Sequence, residues 1–214
     1  MTAWNFADVW ETIASVQPEA PALVRGSSVR SWGEFDARSE AIAQALFDAG
    51  LSHQSRVAQY LMNSMEYLES LFGTYKAAMV PVNTNYRYVA DELAYLWLDA
   101  DVEAVMFHGS FTESTNEVRA RVPNVKLWLW VDDGFGECPD WAVSYEHVAV
   151  SGAILSAESP QRSGDDLFLL YTGGTTGQPK GVMWRQDDLF CVLNRSATIK
   201  YPEEGGLESV AEGL

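Results

Sequence analysis

Hydrophobic positions along this chain follow two different spacings. Apolar residues recur every three or four positions over 6–13 and 35–46, and this spacing predicts two amphipathic helices. Shorter apolar runs at 56–62, 102–107 and 126–131 predict strands. The last run is almost continuously apolar, which is typical of a strand covered on both faces of a sheet.

The remaining segments continue the alternation of helix and strand. Further helices are predicted at 64–75, 91–99, 113–121 and 144–150, a strand at 80–82, and a hairpin from 22–25 and 29–32. Regular alternation of this kind predicts an α/β fold, in which a largely parallel sheet is flanked by helices on both faces.

Local signals mark the ends of the first two helices. Pro18 follows the first apolar stripe and predicts the end of that helix. Ser31 and Glu34 have the spacing of a capping box, so we expect Ser31 to cap the start of the second helix. Gly50 is suited to the left-handed position that follows a last helical turn.

The segment richest in candidate chemistry lies between two apolar runs, 167–171, which predicts a buried strand, and 181–184, which predicts another strand. Residues 172–181 read Thr-Gly-Gly-Thr-Thr-Gly-Gln-Pro-Lys-Gly. Glycines tolerate positive φ, so successive N–H groups can turn inward and form an anion-binding concavity. The pattern therefore predicts a strand-loop-strand phosphate-binding segment. Three glycines supply the backbone freedom: Gly173, Gly174 and Gly177.

Polar side chains in the same loop suit a polyphosphate. Thr175 and Thr176 can donate hydroxyl hydrogen bonds to phosphate oxygens. Thr172 can do the same or can ligate a magnesium ion. Lys180 supplies the counter-charge, and Pro179 stiffens the backbone just before it. These residues are our candidate ligands for a polyphosphate.

Two other interpretations of the loop are disfavoured. A Walker-type loop needs a Gly-Lys-Ser/Thr step, whereas Lys180 follows Pro179 and precedes Gly181, and no helix is predicted directly after it. A flexible surface linker of glycine and threonine would not be expected between two apolar strands.

The loop also resembles a known signature. Residues 171–181, YTGGTTGQPKG, resemble the phosphate-binding motif of the adenylate-forming superfamily, which includes acyl-CoA synthetases, luciferases and the adenylation domains of peptide synthetases. Gly173 departs from the commonest form, in which serine or threonine stands there. The Gly-Gly form followed by Gly-Val-Met-Trp-Arg resembles a branch of bacterial fatty-acid and steroid-side-chain acyl-CoA ligases. Residues 31–40 and 75–83 resemble two scaffold segments of the same family.

The resemblance implies a reaction in two steps. A carboxylate attacks the α-phosphate of ATP to give an acyl-adenylate and pyrophosphate, and the thiol of coenzyme A then displaces AMP. The implied cofactors and partners are ATP, Mg²⁺, coenzyme A as co-substrate, and a hydrophobic carboxylic acid. The implied nucleotide-binding residues are Thr172, Gly173, Gly174, Thr175, Thr176, Gly177 and Lys180, with Thr172 also the candidate metal ligand.

The resemblance further implies elements that have no counterpart before Leu214, including a C-terminal domain with the catalytic lysine. We therefore expect an N-terminal fragment. Its scaffold is expected over 1–160, the phosphate-loop hairpin and a following helix over 161–200, and a frayed tail over 201–214. The alternative is a truncated, non-catalytic nucleotide-binding or interaction module. The substrate and the oligomeric state stay open, and a homo-oligomer is compatible with the sequence.

Composition narrows the functional class. The 214-residue chain is long enough for one or two domains, and its net charge of −16 with only 14 Lys and Arg argues against nucleic acid as a partner. Cys138 and Cys191 have no metal or disulfide-framework spacing, which indicates thiols in a reducing compartment. No apolar stretch has the length of a membrane span, and the start lacks a secretory pattern. A cytoplasmic enzyme is the class that these features favour.

Other conspicuous residues are assigned structural roles. The acidic loop 132–140 lacks the spacing of an EF-hand and is interpreted as solvated. Trp128 and Trp130 lie on one face of a predicted strand, so we expect them to pack in the core. The histidines lie far apart without neighbouring metal ligands and are expected to be structural or on the surface: His53, His108 and His147.

Overall fold

The computed structural model describes residues 4–172, 178–198, 200–201 and 206–214. The helices in these ranges are α1 (Phe6–Val16), α2 (Trp32–Asp48), α3 (Met65–Lys76), α4 (Ala90–Asp99), α5 (Thr112–Arg119), α6 (Tyr145–Ala149), α7 (Gln186–Ser196) and α8 (Gly206–Glu212). The strands are β1 (Pro21–Arg25), β2 (Ser28–Ser31), β3 (Arg56–Tyr60), β4 (Val80–Asn83), β5 (Val102–His108), β6 (Leu127–Val131), β7 (Val143–Ser144), β8 (Leu167–Thr172) and β9 (Lys180–Arg185).

Seven of these strands form one sheet in the order β7-β6-β5-β3-β4-β8-β9. Every neighbouring pair in it is parallel except β8 and β9, which are antiparallel. The strands β1 and β2 form a separate antiparallel hairpin. The predicted α/β fold with a largely parallel sheet is therefore confirmed.

Helices cover both faces of the sheet, as the apolar strands predict. In β3, Val57 packs in a core with residues of α2 and α6 such as Ile42 and Tyr145. The next residue, Ala58, packs on the opposite face in a core that includes Trp97 of α4. Successive side chains of a strand point to opposite faces, so one strand serves two cores.

The ends of the first helices follow the local signals. Ser31 accepts a hydrogen bond from the Glu34 N–H at 3.2 Å, and a Glu34 carboxylate oxygen accepts one from the Ser31 N–H at 2.9 Å. This reciprocal pair is the predicted capping box. Gly50 has a φ of 76°, which is the left-handed conformation expected after α2.

The predicted core role of the two strand tryptophans is also confirmed. Trp128 lies 5.9 Å from Trp97 and 5.8 Å from Trp141 between ring centroids, both with edge-on geometry. Trp130 is 6% exposed in the same core. Aromatic packing of this kind adds to the burial of apolar area.

Two expectations need correction. The frayed tail predicted over 201–214 is wrong for residues 206–212, which form α8. Val210 of α8 is fully buried against Val9 and Ile13 of α1, because its apolar side chain lies on the inner face of the helix. The run 167–171 forms a strand, but its side chains are only half-buried, because β8 lies next to the edge strand β9.

Neither Cys138 nor Cys191 is in a disulfide. Across the described ranges, every helix is too short or too polar to cross a membrane.

Candidate polyphosphate-binding site

The strands β8 and β9 form the stem of the candidate phosphate loop. They pair in antiparallel register, with Tyr171 opposite Gly181 and Thr172 opposite Lys180. The two strands of the predicted strand-loop-strand segment are therefore confirmed. The pairing brings the two ends of the intervening loop to adjacent positions on neighbouring strands.

Thr172 and Lys180 are both exposed at the open end of this stem. Within the described ranges, Lys180 is in no ion pair, so its charge is available to an anionic ligand. The hydroxyl of Thr172 and the ammonium of Lys180 thus lie on paired residues that face solvent. The other predicted ligands lie outside the described residues, and their roles stay predictions: Gly173, Gly174, Thr175, Thr176 and Gly177.

The stem joins the main sheet through β4. Val82 pairs with Leu169 and Asn83 pairs with Leu170, in parallel register. Because β3, β4, β5 and β8 run in the same direction, their carboxyl ends lie along one edge of the sheet, and Thr172 is the last residue of β8. Ligands of open α/β sheets bind at this edge.

A buried carboxylate fixes the start of β8. Asp166 is 1% exposed and accepts hydrogen bonds from the Ser163 N–H at 2.9 Å and from Gln54 Nε2 at 3.0 Å. His53 Nε2 lies 2.8 Å from the same carboxylate. Gln54 also accepts the Leu167 N–H at 3.2 Å. Side chains from the loop before β3 therefore hold the strand that leads into the phosphate loop.

The far end of β9 is tied to the start of the chain. Gln186, which begins α7, accepts the Phe6 N–H at 3.0 Å, and Asp187 accepts the Trp4 N–H at 2.9 Å. The Gln186 N–H donates in turn to the Asp166 carbonyl at 2.9 Å. The base of the hairpin is thus anchored at both strands, while its open end carries Thr172 and Lys180.

An ion-pair network holds the segment that precedes the hairpin. Arg162 binds both carboxylate oxygens of Glu11, at 2.6 and 2.8 Å. Lys76, whose side chain is 2% exposed, lies 2.7 Å from Glu11, 2.8 Å from Asp36 and 2.6 Å from Glu40. The network connects the lead-in segment to α1, α2 and α3, and no local sequence signal pointed to it.

The other candidate groups have structural partners. His108 is buried, and its Nδ1 accepts the Met62 N–H at 3.0 Å. Burial lowers the pKa of His108, although Asp133 opposes the shift. Asp133, from the acidic loop, accepts the Ser110 N–H at 3.1 Å. No cluster of three or more metal-binding side chains occurs in the part of the chain that the structure describes.

Comparisons of the sequence with known proteins give consistent matches. The family described as AMP-binding enzyme matches residues 10–208. A medium/long-chain-fatty-acid–CoA/3-oxocholest-4-en-26-oate–CoA ligase of Mycolicibacterium smegmatis is 34% identical over 196 residues, which cover 89% of this chain and 35% of that protein. The medium-chain acyl-CoA ligase Mig of Mycobacterium avium is 34% identical over 205 residues, which cover 88% of this chain and 37% of that protein. The chain thus spans little more than a third of the length of these relatives.

Solved structures show the same fold. The anthranilate CoA ligase AuaEII in complex with anthranoyl-AMP matches with a TM-score of 0.80 at 22% identity, over 90% of this chain and 36% of that one. A Mycobacterium tuberculosis fatty acyl CoA synthetase matches with a TM-score of 0.70 at 25% identity, over 85% of this chain and 34% of that one.

Proposed function

Because this chain belongs to the AMP-binding enzyme family, we propose that it supplies the polyphosphate-binding part of an ATP-dependent acyl-CoA ligase. The observation that carries the proposal is the register of the β8–β9 stem, which places Thr172 opposite Lys180 at the two ends of a glycine- and threonine-rich loop. The same stem ends at the edge of the sheet where ligands of α/β folds bind.

The proposed reaction begins with adenylation of a carboxylic acid. A carboxylate oxygen forms a bond to the α-phosphorus of ATP, and the bond from that phosphorus to the oxygen bridging to the β-phosphate breaks. Pyrophosphate leaves with the bonding electrons, and the thiol of coenzyme A then displaces AMP from the acyl-adenylate. Lys180 would neutralise charge on the β- and γ-phosphates, which lowers the barrier to departure of pyrophosphate.

Among the described residues of this site, Thr172 offers an oxygen that fits a magnesium ion. Thr172 is exposed at the end of β8, and its hydroxyl is a neutral oxygen donor of the kind that magnesium accepts beside phosphate oxygens. The ion, when bound, would neutralise phosphate charge together with Lys180. The protein's own contribution is to hold the hydroxyl and the ammonium on paired residues.

The proposed substrate class is a hydrophobic carboxylic acid. The names of the relatives support it, since they describe ligases for medium- and long-chain fatty acids and for 3-oxocholest-4-en-26-oate. Coenzyme A is the proposed acceptor on the same grounds. We expect this chain to bind polyphosphate without completing adenylation, because it spans 35% of the length of the first of these relatives.

Titration calorimetry with pyrophosphate and with MgATP tests the proposal on this chain. Lys180→Ala should weaken binding of both by on the order of tenfold or more, because a charge-assisted contact is lost. Lys126→Ala is the matched control, since Lys126 is also exposed and its partner is Glu103, on β5. It should leave both affinities within about twofold of the parent.

Two results would contradict the proposal in different ways. If the parent chain binds neither pyrophosphate nor MgATP, the alternative of an interaction module replaces it. If the chain catalyses carboxylate-dependent exchange between ATP and pyrophosphate, the expectation that it supplies only one part of the site is wrong.

A further inference from the structure

The aromatic ring of Tyr171 lies across Gly181 at the stem of the candidate loop. A Cβ atom built on Gly181 would lie 3.0 Å from both Cε2 and Cζ of this ring and 3.2 Å from its hydroxyl oxygen. Contacts this short require the ring or the backbone to move. The ring therefore occupies the space that a side chain at position 181 would need, and glycine lets it approach the backbone without a shift.

The hydroxyl of Tyr171 makes a second contact outside the hairpin. It donates a hydrogen bond of 2.7 Å to Oδ2 of Asp99, the last residue of α4. Burial raises the pKa of Tyr171, and so do the hydrogen bond and charge of Asp99. The phenol consequently stays protonated and remains a donor at neutral pH.

These contacts lie one residue inside both ends of the loop. Tyr171 precedes Thr172, and Gly181 follows Lys180. The strand β9 is the edge of the sheet, so it pairs only with β8 among the described strands, and its Met183 is 68% exposed. The ring of Tyr171 is thus a contact through which the body of the protein can set the position of Lys180.

We propose that Tyr171 is a positioning residue for polyphosphate binding, because it fixes the stem at Gly181 and ties it to Asp99. This inference rests on the proposed function. Tyr171 need not touch the ligand; it holds the hydroxyl of Thr172 and the ammonium of Lys180 in the spacing that the two ends of a polyphosphate site require. Preorganisation of this kind improves affinity by reducing the cost of ordering the site.

Pyrophosphate affinity of the 214-residue chain tests the proposal. Tyr171→Phe and Asp99→Ala should each weaken binding by about threefold to tenfold, the range expected when one hydrogen bond to a charged group is lost. The double variant should bind no more weakly than either single variant, because both changes remove the same bond. Asp99→Asn, which keeps an acceptor, should retain most of the affinity.

Amide hydrogen exchange separates positioning from general stability. Tyr171→Phe should speed exchange at residues 171–172 and 180–182 and leave the amides of β3 and β5 unchanged. Asp91→Ala is the control, since Asp91 lies on the same helix as Asp99 and its partner is Arg121. It should alter neither the pyrophosphate affinity nor the exchange of the stem.

The outcomes are distinguishable. If the parent binds pyrophosphate and Tyr171→Phe binds it within about twofold, the positioning role is wrong and the proposed function stands. An equal loss in Asp91→Ala, or faster exchange throughout the sheet, would also overturn the role. If the parent binds no pyrophosphate, the proposed function fails and the positioning role fails with it.

Discussion

Arg38 Nε donates a hydrogen bond of 2.9 Å to Glu69 Oε1 between α2 and α3, where the Glu69 side chain has no solvent exposure. The other two nitrogens of the Arg38 guanidinium bind Glu146 at 2.7 and 3.0 Å. Arg30 lies 3.0 Å from the same Glu69 oxygen. Burial raises the pKa of Glu69, and Arg38 opposes the shift. One guanidinium therefore connects α2, α3 and α6.

Replacing this arginine should destabilise the fold. Arg38→Met keeps most of the side-chain length but leaves Glu69 buried without its main partner. Loss of one member of a buried ion pair typically costs about 3 kcal/mol or more, so we expect a fall of this size in the free energy of unfolding in urea at pH 7.

Arg121→Met is the matched control, because its partner Asp91 has a side chain that is 88% exposed. This control should cost less than about 1 kcal/mol. Similar losses in the two variants would mean that burial of Glu69 does not set the energy of the Arg38 interaction.

Glu11 predicts a pH-dependent contribution to stability. Burial raises the pKa of Glu11, but Arg162 and Lys76 more than offset it, so the pKa lies below the ordinary value of 4.5. A carboxyl group with a lower pKa in the folded state binds protons less readily there than in the unfolded chain. Its stabilisation is complete above the unfolded pKa and is lost as the pH falls through the folded pKa.

Glu11→Gln should therefore lower the free energy of unfolding at pH 7 by about 2 kcal/mol, the scale of hydrogen bonds to charged groups. The difference from the parent should shrink as the pH falls below 4.5, because the parent then loses the same charge. Urea titrations at several pH values between 3 and 7 provide the measurement. A constant difference over this range would contradict the assignment.

Local patterns in the sequence were sufficient for most helices and strands. The capping box is predicted from Ser31 and Glu34, which are three positions apart. The core position of Trp128 and Trp130 is predicted from their spacing of two, which places them on one face of a strand. The stem of the phosphate loop was also predictable, because Thr172 and Lys180 flank a short glycine-rich segment between two apolar runs. Such signals lie within a few residues of one another.

Long-range partners were not predictable in this way. Arg38 and Glu146 are 108 positions apart, and Gln54 and Asp166 are 112 apart. Which side chains meet depends on the order of strands in the sheet, and no local pattern specifies that order. A local signal exists only for the burial of Arg38, which lies at helical spacing on the apolar face of α2.

The prediction of a frayed tail was wrong for residues 206–212 for a different reason. Its acidic and glycine-rich composition favoured a disordered end, yet Leu207 and Val210 are three positions apart and share one helical face. Both pack with the aromatic cluster around Trp4 and Phe190. The segment has a weak intrinsic preference for helix, and burial of this short apolar face supplies the stabilisation that the helix needs.

Gly73 marks a close approach of α2 and α3. A Cβ atom at this position would lie 2.7 Å from the Ser39 carbonyl oxygen and 2.9 Å from Cγ2 of Ile42. Alanine has the higher helix propensity by about 1 kcal/mol, but the backbone contact cannot yield without separating the helices. Gly73→Ala should therefore lower the free energy of unfolding by about 1–3 kcal/mol in urea. Stabilisation by alanine would show that the two helices separate easily.

Thr172 provides a test of the proposed magnesium contact. If its hydroxyl ligates the ion beside a bound polyphosphate, Thr172→Val should remove much of the gain in pyrophosphate affinity that magnesium gives the parent, because valine has a similar shape without the oxygen. Thr172→Ser retains the hydroxyl and should retain the gain. Calorimetric titrations with and without magnesium measure the difference, on the order of tenfold if one hydroxyl ligand is lost. If Thr172→Val keeps the full magnesium-dependent gain in affinity, the ion is held by phosphate oxygens and other ligands. Thr172 then only ends the β8 strand of the stem and does not bind the ion.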